Sequence, residues 1–182
     1  MGAVTVLLTL TGGSGAGKST LAAAFDTAVV LHGDDYYFAV PGRGVWSPDR
    51  GGVPRLDVGD PRSMDLERLN ADASAALARS PLVIVEGLFA VAVRPDGAYE
   101  RFDVFVDLAA DLRLARKIQR KCVEGDFPLH VLLDNYLGAR RAAHERHVEP
   151  VRHRCDLVVD GAEPAARNVS RINESRAMRR SF

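Results

Sequence analysis

The chain has 182 residues, 47% hydrophobic and 26% charged, with Lys plus Arg and Asp plus Glu balanced at 24 each. That length buries a core in one domain without metal or disulfide staples, and the even balance excludes a global field that would hold nucleic acid non-specifically. No apolar run nears the roughly 20 residues that cross a bilayer, so neither a membrane nor a nucleic acid is expected as a partner. The two Cys, Cys122 and Cys155, point to a reducing, cytoplasmic compartment and to structural thiols.

The first expected element is a buried strand over Val4–Thr11. Neither a preceding basic segment nor an A-x-A pattern marks that run as a signal. It leads into Gly12-Gly13-Ser14-Gly15-Ala16-Gly17-Lys18-Ser19-Thr20, which matches G-x-x-x-x-G-K-[ST] between a strand and the helix that Lys18–Phe25 opens. Glycines let backbone N–H groups turn inward around phosphates, and the helix N-terminus adds its positive dipole end. Lys18 then bridges β- and γ-phosphates, and Ser19, supported by Thr20, offers a hydroxyl to Mg²⁺. The loop predicts ATP or GTP binding by residues 12–20.

A strand follows over Ala28–His32, then Asp34-Asp35-Tyr36-Tyr37. Residues Ala39–Asp60 hold most of the Pro and Gly and, with Trp46 and the Asp57 region to pack and present, read as a substrate loop. After Pro61, a helix over Ser63–Arg79 carries Met64, Leu66, Leu69, Ala73, Ala76 and Leu77 at helical spacing. Strands over Leu82–Glu86 and Phe102–Asp107 come next. Helices over Leu112–Lys121 and Leu129–His147 flank Glu124-Gly125-Asp126 and Pro128, a break that reads as a mobile flap. After a last strand, Asp156–Asp160, the chain from Glu163 on is rich in Arg, Asn and Ser and is expected as a short surface helix or a frayed tail. Near-continuous apolar strands alternating with helices imply a parallel sheet covered on both faces. Joined to the phosphate loop, they predict an α/β P-loop NTPase fold, a three-layer α/β/α sandwich around a five-stranded, mainly parallel sheet.

Ligands of such sheets lie beyond the carboxyl ends of the strands, which singles out Asp34, Asp35, Glu86 and Asp107. Arg113, Arg116, Lys117 and Arg120 fall at i, i+3, i+4 and i+7, one basic helical face beside the break that could close over phosphates or be a solvated face. His144-Glu145-Arg146-His147 has H-E-x-H spacing, short of a zinc motif, and reads as structural or surface. Tyr36, Tyr37 and Trp46 are equally suited to stacking on a ligand ring and to the core.

Asp34-Asp35-Tyr36-Tyr37 and Val85-Glu86-Gly87-Leu88 resemble motifs of the uridine kinase and phosphoribulokinase family. So do Leu56-Asp57 with Asp60-Pro61-Arg62-Ser63-Met64-Asp65 after it, the helix Arg113–Arg120, and Tyr136 through Glu149-Pro150. The resemblance implies an ATP- and Mg²⁺-dependent phosphotransferase with an alcohol acceptor, on a nucleoside-kinase fold with a helical lid about residues 120–128. It implies a kinase domain over 1–162 and an Arg-rich tail over 163–182. By it, Asp34 receives the acceptor hydroxyl's proton, Glu86 organises Mg²⁺ with Ser19, Tyr37 and Asp57 hold the acceptor, Arg116 meets ATP, and Arg120 is the lid arginine acting in catalysis beside Lys18. The expected acceptor is the 5′-hydroxyl of a ribonucleoside, uridine- or cytidine-like, or of a related ribosyl compound. Uridine-specific members carry an added hairpin between the Asp57-like and Glu86-like residues, and nothing between Arg79 and Leu82 could form one. Nicotinamide riboside, pantothenate and sugar or sugar-phosphate acceptors therefore stay open. A nucleotide-binding regulatory module is the non-enzymatic alternative, although no guanine-reading N-K-x-D element follows the loop. Monomer and homo-oligomer are both compatible with the sequence.

Overall fold

A computed structural model describes residues 5–48 and 52–179. Five strands form one parallel sheet in the order β2-β5-β1-β6-β7. These are β1 (Val6–Thr11), β2 (Val29–His32), β5 (Leu82–Gly87), β6 (Glu100–Asp107) and β7 (Leu157–Asp160). Every strand expected from sequence is there, trimmed or extended by a residue or two, and Val4 lies outside the described residues.

β1 is buried along its whole length at the centre, because alternate side chains feed two cores. Leu7 packs with Val83, Val85 and Phe105 against Leu69, Ala73 and Leu77 of α2 (Leu66–Leu77). Leu8 and Leu10 pack with Ile84, Phe102 and Val104 on the opposite face, against Leu21 of α1 (Lys18–Ala23) and Ile172 of α6 (Ala165–Arg179). Two-sided burial explains why the runs read as continuously apolar. The edge strand β2 departs from that expectation: Val29 is 41% exposed, since an edge strand has one neighbour only and α1 spans just six residues.

The helix expected over Ser63–Arg79 starts at Leu66. Two aspartates divide the segment: Asp60 accepts from Arg62 N–H and caps a 3-10 turn over Pro61–Ser63, and Asp65 accepts from Arg68 N–H and caps α2. Within the predicted substrate loop, β3 (Trp46–Pro48) and β4 (Pro54–Leu56) pair as an antiparallel hairpin.

The segment between β6 and β7 is a helical arm. α3 (Ala110–Ile118) runs on through a π-helical turn, Gln119–Val123, to the break at residues 124–128. Beyond it, α4 (Leu129–Asn135), a π turn (Tyr136–Arg140), α5 (Arg141–Ala143), a second π turn (His144–Val148) and a 3-10 stretch (Glu149–Arg154) follow without interruption. The second predicted helix is thus under-wound twice. Beyond Leu108 at its root, Leu132, Val148 and Val151 anchor the arm in buried positions.

The Arg-rich C-terminal segment takes the helical of the two forms expected for it, with one face packed on the sheet. Ala165–Arg179 is a 15-residue helix whose Ile172 is wholly buried against the sheet. Ala165, Val169 and Ile172 share one face at helical spacing, so the segment completes a layer of the same domain. Residues 180–182 lie outside the described residues.

Candidate active site

Residues 12–17 bridge β1 and α1 at the carboxyl edge of the sheet. Two glycines there are required by space. A Cβ at Gly12 would stand 2.3 Å from the Val106 carbonyl oxygen, and Gly15, at φ 87°, would put one 2.6 Å from the Arg113 carbonyl oxygen. The loop is pressed against the β6–α3 junction and its shape is fixed by backbone.

Lys18 is buried, and its Nζ donates to the Gly13 carbonyl at 3.0 Å. Burial pushes its ammonium below the ordinary lysine value, opposed by the negative charges of Glu86 and Asp34. Ser19 Oγ donates to Glu86 Oε1 at 2.9 Å, and His32 Nδ1 lies 2.8 Å from the same oxygen. Sheet register creates this cluster: Glu86 is paired with His32 on β2 and with Leu10 on β1, just before the phosphate loop. A hydroxyl and a carboxylate side by side form an oxygen donor set that suits a small hard cation such as Mg²⁺.

Asp34 sits in a 3-10 turn, Gly33–Tyr36, that directly follows β2, and its side chain lines the cleft over the phosphate loop. Tyr37 lines the same cleft and donates its hydroxyl to the Val58 carbonyl at 2.9 Å. Burial and the Asp34 charge raise its phenol well above the tyrosine range. Tyr36 turns instead to the core: it donates to Asp72 at 2.8 Å, Arg68 stacks on its ring, and burial with Asp72 pushes its phenol up to about 12. Trp46 is absent from the cleft wall, with its indole N–H on the Arg43 carbonyl. Asp57 is held at the rim: its Oδ1 accepts from Arg140 Nη1 at 2.6 Å and from Gly59 N–H at 3.0 Å, and it is Val58 and Gly59 that line the cleft.

The cleft encloses about 1190 Å³, ample for a nucleotide and a second small molecule. The basic stripe faces it: Arg113, Arg116, Lys117, Arg120 and Lys121 all line the wall. Arg116 Nη1 donates to the Gly161 carbonyl at 3.0 Å, and Arg113 Nε to the Leu108 carbonyl at 2.9 Å. Burial, then the charges of Arg140, Lys121 and Arg120, push Lys117 below the ordinary lysine value. A cation crowd of this kind favours an anion among its members.

Other candidates fall away from the chemistry. Asp107 accepts from Arg152 Nη2 at 2.7 Å, which satisfies it structurally. Burial pushes the Cys155 thiol up to about 11, the behaviour of an inert thiol. The His144-Glu145-Arg146-His147 run is not arranged to hold a metal: among the described residues no group of His, Cys, Asp and Glu could hold one on its own, and His144 Nε2, on the cleft wall, lies 3.3 Å from Glu149.

The sequence singled out neither His32, Arg140 nor His144 for the site, nor the wall after β7. Tyr136, Arg140, His144 and Val148 recur every four residues and all line the cleft. That spacing was the available signal, and the π turns, which under-wind the helix, keep it on one face.

The model of the Phosphoribulokinase / Uridine kinase family matches residues 59–165. A protein named uridine kinase from Halobacterium salinarum is 25% identical over 185 residues, spanning 88% of this chain and 82% of its own length. Another so named, from Lactobacillus helveticus, is 23% identical over 195 residues, with 87% and 88% covered. The crystal structure of a sugar kinase from Janibacter sp. HTCC2649 superposes with a TM-score of 0.55 at 19% identity, covering 92% of this chain and 91% of that one. Among the described residues no helix is long and apolar enough to cross a membrane.

Proposed function

Since the chain belongs to the phosphoribulokinase and uridine kinase family, a family of phosphotransferases that act on a hydroxyl of a small molecule, we propose that it moves the γ-phosphoryl group of ATP to the 5′-hydroxyl of a ribonucleoside or related ribosyl compound. One observation carries the reading: the Asp34 carboxylate and the Lys18 ammonium share a single cleft beside the Ser19–Glu86 pair.

Asp34 hydrogen-bonds the acceptor hydroxyl, aims it at the γ-phosphorus and takes its proton as the new P–O bond forms. The bond to the β-phosphate oxygen breaks, and ADP leaves. Lys18 exchanges the Gly13 carbonyl for phosphate oxygens, and its charge follows the electrons toward the leaving group. From the arm Arg120 closes on the triphosphate, where guanidinium geometry fits phosphoryl oxygens, and Arg116 meets the nucleotide beside it. Ser19 and Glu86 would hold Mg²⁺, whose charge neutralises the phosphate oxygens.

The ribosyl acceptor is supported by three features. Tyr37, Val58, Gly59 and Leu88 line the cleft with Asp34. At the rim, the Asp57–Arg140 pair offers both an acceptor and a donor to a vicinal diol. Relatives named uridine kinase cover most of the chain. Only residues 78–81 join α2 to β5, which leaves no hairpin there to grip a pyrimidine and favours recognition through the sugar. The cations Lys121, Arg140 and Arg141 on the arm favour a second reading, in which the acceptor carries a phosphate or carboxylate of its own. Following ADP release with nucleosides, nicotinamide riboside, pantothenate, sugars and sugar phosphates tests both. Turnover confined to non-ribosyl acceptors would remove the ribosyl assignment and leave the kinase standing.

A further inference from the structure

The tips of the sheet set a direction along the cleft. Asp34 and Glu86 lie at the β2 and β5 side of the phosphate loop, whereas the segment Gly161–Ala165, after β7, lies at the other side. Strands stand about 4.8 Å apart, so the β7 tip is about 10 Å from the β1 tip, the reach of a triphosphate and ribose. With the γ-phosphate next to Asp34, the donor's base extends toward β7. Arg116, tied to the Gly161 carbonyl, and Gly17 close this end from the arm and loop sides.

Asn168, on the fourth position of α6, forms part of that end of the cleft and is 2% exposed. Its Nδ2 donates to the Asp160 carbonyl at 2.8 Å, which fixes which way the amide faces; a flipped amide would set oxygen against oxygen. Its Oδ1 is buried and has no partner among the described residues. A buried acceptor left unpaired costs free energy, and where its residue lines a ligand cleft a donor on the ligand can satisfy it.

We propose that Asn168 Oδ1 accepts a hydrogen bond from the exocyclic amino group of the donor's base and thereby selects adenine over purines that carry an oxo group at that position. Adenine presents N6–H to the amide oxygen. Guanine and hypoxanthine present O6, an acceptor facing an acceptor, which leaves both unpaired. Arg116 supplies a flat guanidinium that covers the base without reading it. This assignment rests on the kinase reading for the placement of the γ-phosphate near Asp34.

The test compares donors on the unmodified protein. Calorimetric affinities are measured with Mg²⁺ for ATP, inosine triphosphate and purine riboside triphosphate, which carry an amino group, an oxo group and hydrogen at the same ring position. ATP is expected to bind about tenfold or more tighter than inosine triphosphate, with the hydrogen analogue between them. Asn168→Leu, checked for folding by its thermal melt, should bring the ratio of ATP to inosine triphosphate near unity mainly by weakening ATP. Equal binding of the two donors to the unmodified protein overturns the proposal without any variant. So does a folded Asn168→Leu that keeps the preference, for the amide then serves only to fasten α6. Equal phosphorylation of a ribosyl acceptor from both donors sinks the Asn168 assignment and leaves the kinase. A clear donor preference with no ribosyl acceptor turned over keeps the Asn168 assignment and removes the ribosyl one.

Discussion

The floor of the cleft and the arm that roofs it are built by opposite means. In the floor, backbone does the work: glycines pressed against the carbonyls of Val106 and Arg113, the buried Lys18 fastened to the Gly13 carbonyl, and Ser19 fastened to the buried Glu86. The arm presents long cations from a helix under-wound at two π turns and anchored by Leu132, Val148 and Val151. Phosphate is the same in every donor, so its cradle tolerates rigidity. An acceptor varies, and Arg and Lys on a loosely anchored helix adapt to it by rotamer.

If the floor is the rigid partner, damage to it abolishes turnover whatever the acceptor. Lys18→Ala should lower kcat by at least ~10³-fold on every responding acceptor, because it removes the charge aimed at the migrating phosphoryl group. Full turnover with any acceptor would break the distinction between floor and arm. Next in size is Asp34→Asn, which keeps shape and removes the proton acceptor. Its kcat should fall by ~10²-fold while the affinity for ATP, measured by calorimetry, stays within about twofold. Retained rate would mean that the hydroxyl loses its proton elsewhere.

The arm is expected to give smaller effects that depend on the acceptor. Arg140 spans the two regions, lining the cleft while bound to Asp57. Arg140→Ala and Asp57→Ala should each raise the acceptor KM by ~10-fold, leaving the ATP KM nearly alone, and the double variant should cost little more than either single one. Additive losses would show that each side chain holds the acceptor by itself.

The same contrast decides what the sequence could tell. The floor was legible because local spacing encodes it: residues 12–20 lie consecutively, and Asp34 and Glu86 end strands whose apolar runs are unmistakable. The parallel sheet was legible for the same reason. Partners brought together by register were hidden. His32 meets Glu86 from 54 residues away, and Arg140 meets Asp57 across 83, so no window of the chain contains either pair. Asp57 was consequently read as an open ligand group, whereas it is engaged at the rim. The C-terminal segment misled through composition: four arginines on a 15-residue helix hide the stripe of Ala165, Val169 and Ile172 that fastens it to the sheet, and Asn168 with it.

The smallest effect concerns the joint between the loop over 39–60 and the core. Asp60 is buried, caps the turn over Pro61–Ser63, and takes Arg62 Nη2 at 2.7 Å and Nε at 3.0 Å. The Arg62 hydrogen bonds, backbone N–H included, and the charge of its guanidinium outweigh burial and hold the carboxyl down at about 2, against an ordinary 3.8. With the folded value below the unfolded one, the folded state binds fewer protons in that interval. The stabilisation is therefore complete above the unfolded value and drains away as pH falls toward 2. Because the Arg62 side chain is largely exposed, solvent screening keeps the contribution small. Asp60→Asn keeps the cap and removes the charge. Its urea midpoint should lie below that of the unmodified protein at neutral pH, and the gap should be roughly halved at about pH 3 and close as pH falls toward 2. A gap of constant size down to about pH 3 would mean that Asp60 acts through its cap alone, and that the joint between this loop and the floor is held by geometry instead of charge.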